Sequence, residues 1–138
     1  MRYQYWLARL SGIGNATKRR LLKRFRSCEA VYQADREAYQ KSGILRAQAA
    51  EYVETQKNLW DLDGEYERFL EKKIALLTME TEDYPLRLTK IQNAPFALYY
   101  RGRMPEAGET LIAMVGARRA SAYGKIMAEE IANSLAKA

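Results

Sequence analysis

Apolar positions recur at helical spacing through roughly the first 57 residues, then shift to short continuous runs beyond residue 73. Tyr3, Trp6, Leu7 and Leu10 share one face and predict a short helix over 3–10. Ser11-Gly12-Ile13-Gly14 breaks it, and Asn15 is placed to cap a helix from Ala16 to Arg26 with Leu21, Leu22 and Phe25 inward. Ser27 is placed to cap a third helix through Val31 and Tyr32. Ser42-Gly43-Ile44 is a further break, and a fourth helix runs from Arg46 to Gln56. Leu62, Tyr66, Phe69 and Leu70 predict a helix within 59–73.

The later runs have strand length: Ile74–Met79, Phe96–Tyr100 and Leu111–Val115. The last lacks polar alternation, as expected for a strand buried on both faces. Asp83-Tyr84-Pro85 is a turn whose proline can open a short helix through Leu88. Gly102–Gly108 reads as a loop containing Pro105. A closing helix spans 122–137 with Met127, Ile131 and Leu135 on one stripe. The expectation is an α+β chain in two domains: an all-helical one over 1–58, and the start of an α/β one over 59–138.

Charge divides the chain in the same way. Residues 1–58 carry 12 Lys/Arg against 5 Asp/Glu, a balance of +7. Residues 59–110 carry 7 against 10, or −3, and residues 111–138 carry 4 against 2, or +2. A basic first block suits a polyanion. The chain has no histidine, which excludes Ser-His-Asp and Cys-His catalysis and every His-ligated metal. Its one cysteine, Cys28, excludes an internal disulfide and reads as a small core residue. No apolar run approaches the roughly 20 residues of a membrane span. No cofactor or metal is expected, and a cytoplasmic setting is.

Two segments carry candidate chemistry. In the first, Gly12, Ile13 and Gly14 form a tight hairpin whose backbone amides could meet a phosphate. Lys18 and Arg19 follow, then Arg20, Lys23, Arg24 and Arg26. The same pattern also fits a plain turn between two packed helices on a solvated basic face. In the second, a presumed strand end leads to Gly116, Arg118, Arg119 and Ser121 ahead of a helix, a combination that suits an anion. It is not a dinucleotide fingerprint, since Arg118 stands where the second glycine would be, nor is it a P-loop. Ser121 can serve the ligand or simply cap the helix. Tyr123 can stack on a base or join the core, and Lys125 can reach the ligand or stay solvated.

Three stretches together resemble the DNA-processing protein A family, also called DprA or Smf. They are Leu10–Gly14 with Arg20–Phe25 and Ser27; Asp83–Leu88 through Ile91, Pro95, Leu98, Tyr99 and Gly102; and Val115–Gly124. The resemblance implies a helix-hairpin-helix or sterile-alpha-motif-like domain followed by a Rossmann-like one. It implies a non-enzymatic protein that binds single-stranded DNA, with duplex DNA as a further ligand, and that helps load RecA in natural transformation, competence and DNA recombination. It also implies a homodimer. By position it assigns phosphate contacts to Gly116, Arg118 and Ser121, and places Arg87 near DNA. Alanine stands at 122, where the family often has proline, and Lys18 stands where it often has a small alanine. The family's domain continues with further strands and a second glycine-rich segment, so the chain is expected to be an incomplete piece of it. Two other readings remain: a nucleotide-binding enzyme sharing the Rossmann-like loop, and a protein-interaction module exposing Tyr3, Trp6 and Phe25.

Overall fold

The computed structural model describes residues 1–106 and 108–137 and divides into two compact units, Met1–Arg103 and Met104–Ala138. In the first unit, six helices precede a two-stranded sheet. They are α1 (Arg2–Arg9), α2 (Asn15–Phe25), α3 (Cys28–Gln33), α4 (Arg36–Lys41), α5 (Ala47–Leu59) and α6 (Leu62–Glu71). Ser27 Oγ accepts from the Ala30 amide at 3.0 Å, so the expected cap opens α3. Asp35 and Asp61 cap α4 and α6 in the same way. Asn15 does not cap α2. Gly14 takes the cap position, and the Asn15 Oδ1 instead accepts from the Phe96 amide at 3.3 Å. Helix α4 has no counterpart in the apolar pattern, because six residues carry one deeply buried anchor, Tyr39. The Tyr39 hydroxyl donates to the Val31 carbonyl at 2.5 Å.

Strands β1 (Ala75–Thr78) and β2 (Ala97–Tyr100) pair antiparallel, with Leu76 opposite Tyr99 and Leu77 opposite Leu98. Helix α7 (Leu86–Thr89) follows Pro85 within their connection, as the turn predicts. The Tyr84 hydroxyl donates to the Pro95 carbonyl and ties that connection to itself. An isolated hairpin pair is marginal in water; here it is carried by helices. Phe69 of α6 meets Tyr99 edge-on at 5.8 Å, and Phe96 is buried in the main core with Trp6, Leu7, Leu21, Val31 and Val53. Residue 58, the boundary expected from the sequence, lies in the last turn of α5 within this unit. The chain therefore combines helices with a small antiparallel sheet, an α+β arrangement.

In this unit Trp6 is fully buried, packed edge-on against Tyr32 at 4.9 Å. Tyr3 and Phe25 are half-buried against the same core. Of the aromatic residues expected to be partly exposed, Tyr3 and Phe25 are so, while Trp6 is enclosed in the core.

The second unit differs from expectation. Every residue from 110 to 123 is exposed, Val115 at 94%, and no strand forms over Leu111–Val115. A strand requires a neighbour for its backbone groups, and none pairs with this segment among the described residues. Helix α8 (Ala122–Leu135) does form. Its stripe is only partly covered within the unit: Met127 is half-buried, while Ile131 and Leu135 remain exposed.

Lys18 is 4% exposed, and its Nζ donates to the Ala8 carbonyl at the end of α1 at 2.8 Å. Burial lowers its pKa from 10.5 to about 8. The folded chain then holds fewer protons than the unfolded chain between those values. Lys18 therefore contributes stability that grows as pH rises from about 8 to 10.5. The buried Cys28 thiol is pushed up and acts in the opposite sense above its ordinary value, so the comparison must be with a variant.

Two expectations follow from this packing. Trp6→Ala should lose about 3–5 kcal/mol, read as a lower urea midpoint by circular dichroism. Trp6→Phe should lose far less, because the buried indole Nε1 has no hydrogen-bond partner to forfeit. Lys18→Met should exceed wild type in stability most at neutral pH, and the gap should narrow by roughly 2–3 kcal/mol on raising the pH to about 10.5. Parallel stability curves for the two proteins would show that Lys18 titrates as in the unfolded chain.

Candidate nucleic-acid interface

Two amides of the hairpin between α1 and α2 donate to acceptors of the protein. The Gly12 N–H donates to the Tyr52 hydroxyl at 3.2 Å, and the Ile13 N–H to the Leu10 carbonyl at 3.2 Å. A Cβ on Gly12 would lie 2.7 Å from Tyr52 Cε1, so glycine is required here by close packing against that ring. Ile13 is buried, and a Cβ on Gly14 would meet nothing within 4 Å. Lys18, buried as well, also donates to the protein. Gly12 and Gly14 themselves are exposed, while Ile13 is buried.

The outward face of α2 is different. Arg20, Lys23, Arg24 and Arg26 are exposed, and Arg19 is half-exposed. The helix has no acidic residue in its first turn and carries Lys23 and Arg24 in its last, where cations favour the macrodipole. Arg26 closes it in the left-handed conformation at φ 74°, its N–H donating to the Leu22 carbonyl at 2.8 Å. Among the described residues, none of these five cations pairs with a carboxylate. The salt bridges are formed by Arg2, Arg36, Lys41, Lys57 and Arg68. Arg19 donates to the Gln92 carbonyl at 3.0 Å, which fixes its guanidinium beside the β1–β2 connection. Lys23 follows Arg19 at i+4, a spacing that shares a helix face, and Arg26 lies at the helix end. Arg87 is exposed on α7.

In the second unit, Gly116, Arg118, Arg119 and Ser121 lie on one exposed segment leading into α8. Ser121 Oγ accepts from the Gly124 amide at 3.1 Å, the cap expected from its position. Gly116 is not among the glycines with left-handed φ, and a Cβ there would meet nothing within 4 Å. Backbone geometry does not require glycine at 116 in this arrangement. Tyr123 is 72% exposed on the first turn of α8, and Lys125 is also exposed. The free amides at the helix start and the two neighbouring arginines can together bind an anion.

Among the described residues, no group of three His, Cys, Asp or Glu side chains is placed to hold a metal ion. No helix there is long and apolar enough to cross a membrane.

The family model described as DNA recombination-mediator protein A matches residues 75–138. That span opens at the first residue of β1 and takes in α7, β2, the 116–121 segment and α8. Protein Smf of Borreliella burgdorferi is 35% identical over 65 residues, which make up 47% of this chain and 20% of that protein. The chain therefore spans about a fifth of the length of this relative. No solved structure matches the chain. The match running from β1 through the arginine-bearing segment to α8 makes residues 75–138 similar to the DNA recombination-mediator protein A family, DprA/Smf.

Proposed function

We propose that the chain supplies DNA-contacting elements of a recombination mediator that binds single-stranded DNA without catalysing a reaction. The observation that carries this reading is the exposed Arg118-Arg119 pair ahead of the Ser121-capped helix, inside the span that matches the family. Gly116, Arg118, Arg119 and Ser121 hold one phosphate group of the strand through helix-start amides and guanidinium donors. Lys125 adds charge on the next turn, and Tyr123 offers a ring for a base. Contacts of this type read no sequence and weaken as salt rises.

The wider role follows from the family. Such a protein coats single strands, hands them to RecA, and works as a homodimer in the cytoplasm during natural transformation or recombination. The helices of the first unit serve an accessory role, and the matched residues 75–138 serve as part of a Rossmann-like DNA-binding domain. Duplex DNA is a secondary ligand.

The test is the anisotropy of a labelled oligo-thymidine titrated with the protein at increasing salt. Arg118→Ala with Arg119→Ala should weaken binding and reduce the slope of log K against log salt by about 1–2. Absence of binding by the unaltered chain at low salt would overturn the reading. Release of phosphate from a nucleoside monophosphate would replace it with the nucleotide-hydrolase alternative.

A further inference from the structure

We infer that the outer face of α2 is a second binding surface for a phosphodiester backbone, with Arg19, Lys23 and Arg26 as its contacts; this rests on the DNA-binding reading above. These three side chains, with Leu22 and Met79, line an open groove of about 360 Å³ within the first unit. One wall is α2 and the other is the chain just after β1. Arg19 and Lys23 stand one turn apart on α2, and Arg26, the left-handed residue that closes the helix, adds a third cation to the same groove.

Three features select nucleic acid over an acidic protein. None of the three cations is neutralised by a carboxylate of this chain, so the surface offers uncompensated charge. Glu80, which follows Met79 in the chain, accepts from the Cys28 amide at 3.2 Å. The floor offers only Leu22 and Met79, and no aromatic ring lines the groove. Protein interfaces anchor on buried aromatic residues, which are missing here. A phosphate chain requires only spaced cations and a groove to lie in. The Arg19–Gln92 hydrogen bond holds the first cation in place before any ligand arrives. The hairpin of Gly12, Ile13 and Gly14 stays outside this surface, since its Gly12 and Ile13 amides are already satisfied by protein.

The experiment compares the full chain with Arg19→Gln/Lys23→Gln/Arg26→Gln, using labelled oligo-thymidine over a salt series. The triple change should weaken binding about tenfold or more at low salt and flatten the salt slope by about 2–3. The charge-preserving pair Arg19→Lys/Arg26→Lys should keep both values near wild type, and unchanged thermal unfolding of each variant verifies the fold. If the triple variant binds like wild type while the Arg118/Arg119 variant loses binding, this surface is excluded and the loop reading stands. If poly-L-glutamate of matched charge displaces the oligonucleotide as well as unlabelled oligo-thymidine does, the surface is a site for acidic protein and the inference falls.

Discussion

Helix α1 is the element on which the first unit depends. Eight residues are too few for a helix to persist alone in water. It survives because it is buried on two sides at once. Trp6, Leu7 and Leu10 enter the larger core, while Tyr5 enters a smaller one with Phe69 and Leu76. Tyr5 stacks on Phe69 at 4.6 Å and approaches Tyr66 at 5.8 Å and Trp60 at 6.0 Å. One short helix is thus a shared wall between the helical bundle and the β1–β2 pair. That wall brings the strands into the same unit as the helices. It also sets α2 against the β1–β2 connection, where Asn15 meets Phe96 and Arg19 meets Gln92. The groove on α2 exists only because these two parts of the chain share a core.

The same packing supplies a structural reason for glycine at position 12. Glycine at position 12 permits the close approach of the Tyr52 ring of α5. Lys18 follows the same logic. It precedes Leu21 by three residues and Leu22 by four, so it shares their inward face, and its ammonium ends on the α1 carbonyl of Ala8. Arg19, Lys23 and Arg26 flank that inward face, Arg19 half-exposed against Gln92 and the other two exposed. A run of cations along a helix is therefore two populations, one structural and one available, divided by helical phase.

Much of this was legible in the sequence because it is local. The amphipathic helices, the Ser27 and Ser121 caps, the Pro85 helix and the strands near 75–78 and 97–100 all follow from spacing and end signals within a few residues. What escaped depends on distant partners. Helix α4 rests on a single anchor, Tyr39, whose hydrogen bond to Val31 no periodicity reveals. Asn15 abandoned its cap for an amide 81 residues away. The apolar run at 111–115 has strand composition, but strand structure requires a partner ladder, and composition cannot supply one. At the candidate sites, residue type identified the cations, while orientation decided which of them face a ligand.

The two proposed contact surfaces differ in what binding must order. On α2 the backbone is fixed by the core, and Arg19 is already held by Gln92. A phosphate chain there meets one cation whose position is already set and two, Lys23 and Arg26, that are exposed. On the 116–121 segment every residue is exposed, so anion binding must restrict two long arginine side chains, at about 0.5–1.5 kcal/mol each. Equal numbers of cations therefore need not give equal affinity: the α2 cations should outweigh the loop per contact. Joined in one chain, the two surfaces raise each other's effective concentration on a strand long enough to touch both. A weak, adaptable loop then gains from a partly preorganised surface on α2, since that surface bears the entropic cost of bringing the strand to the protein.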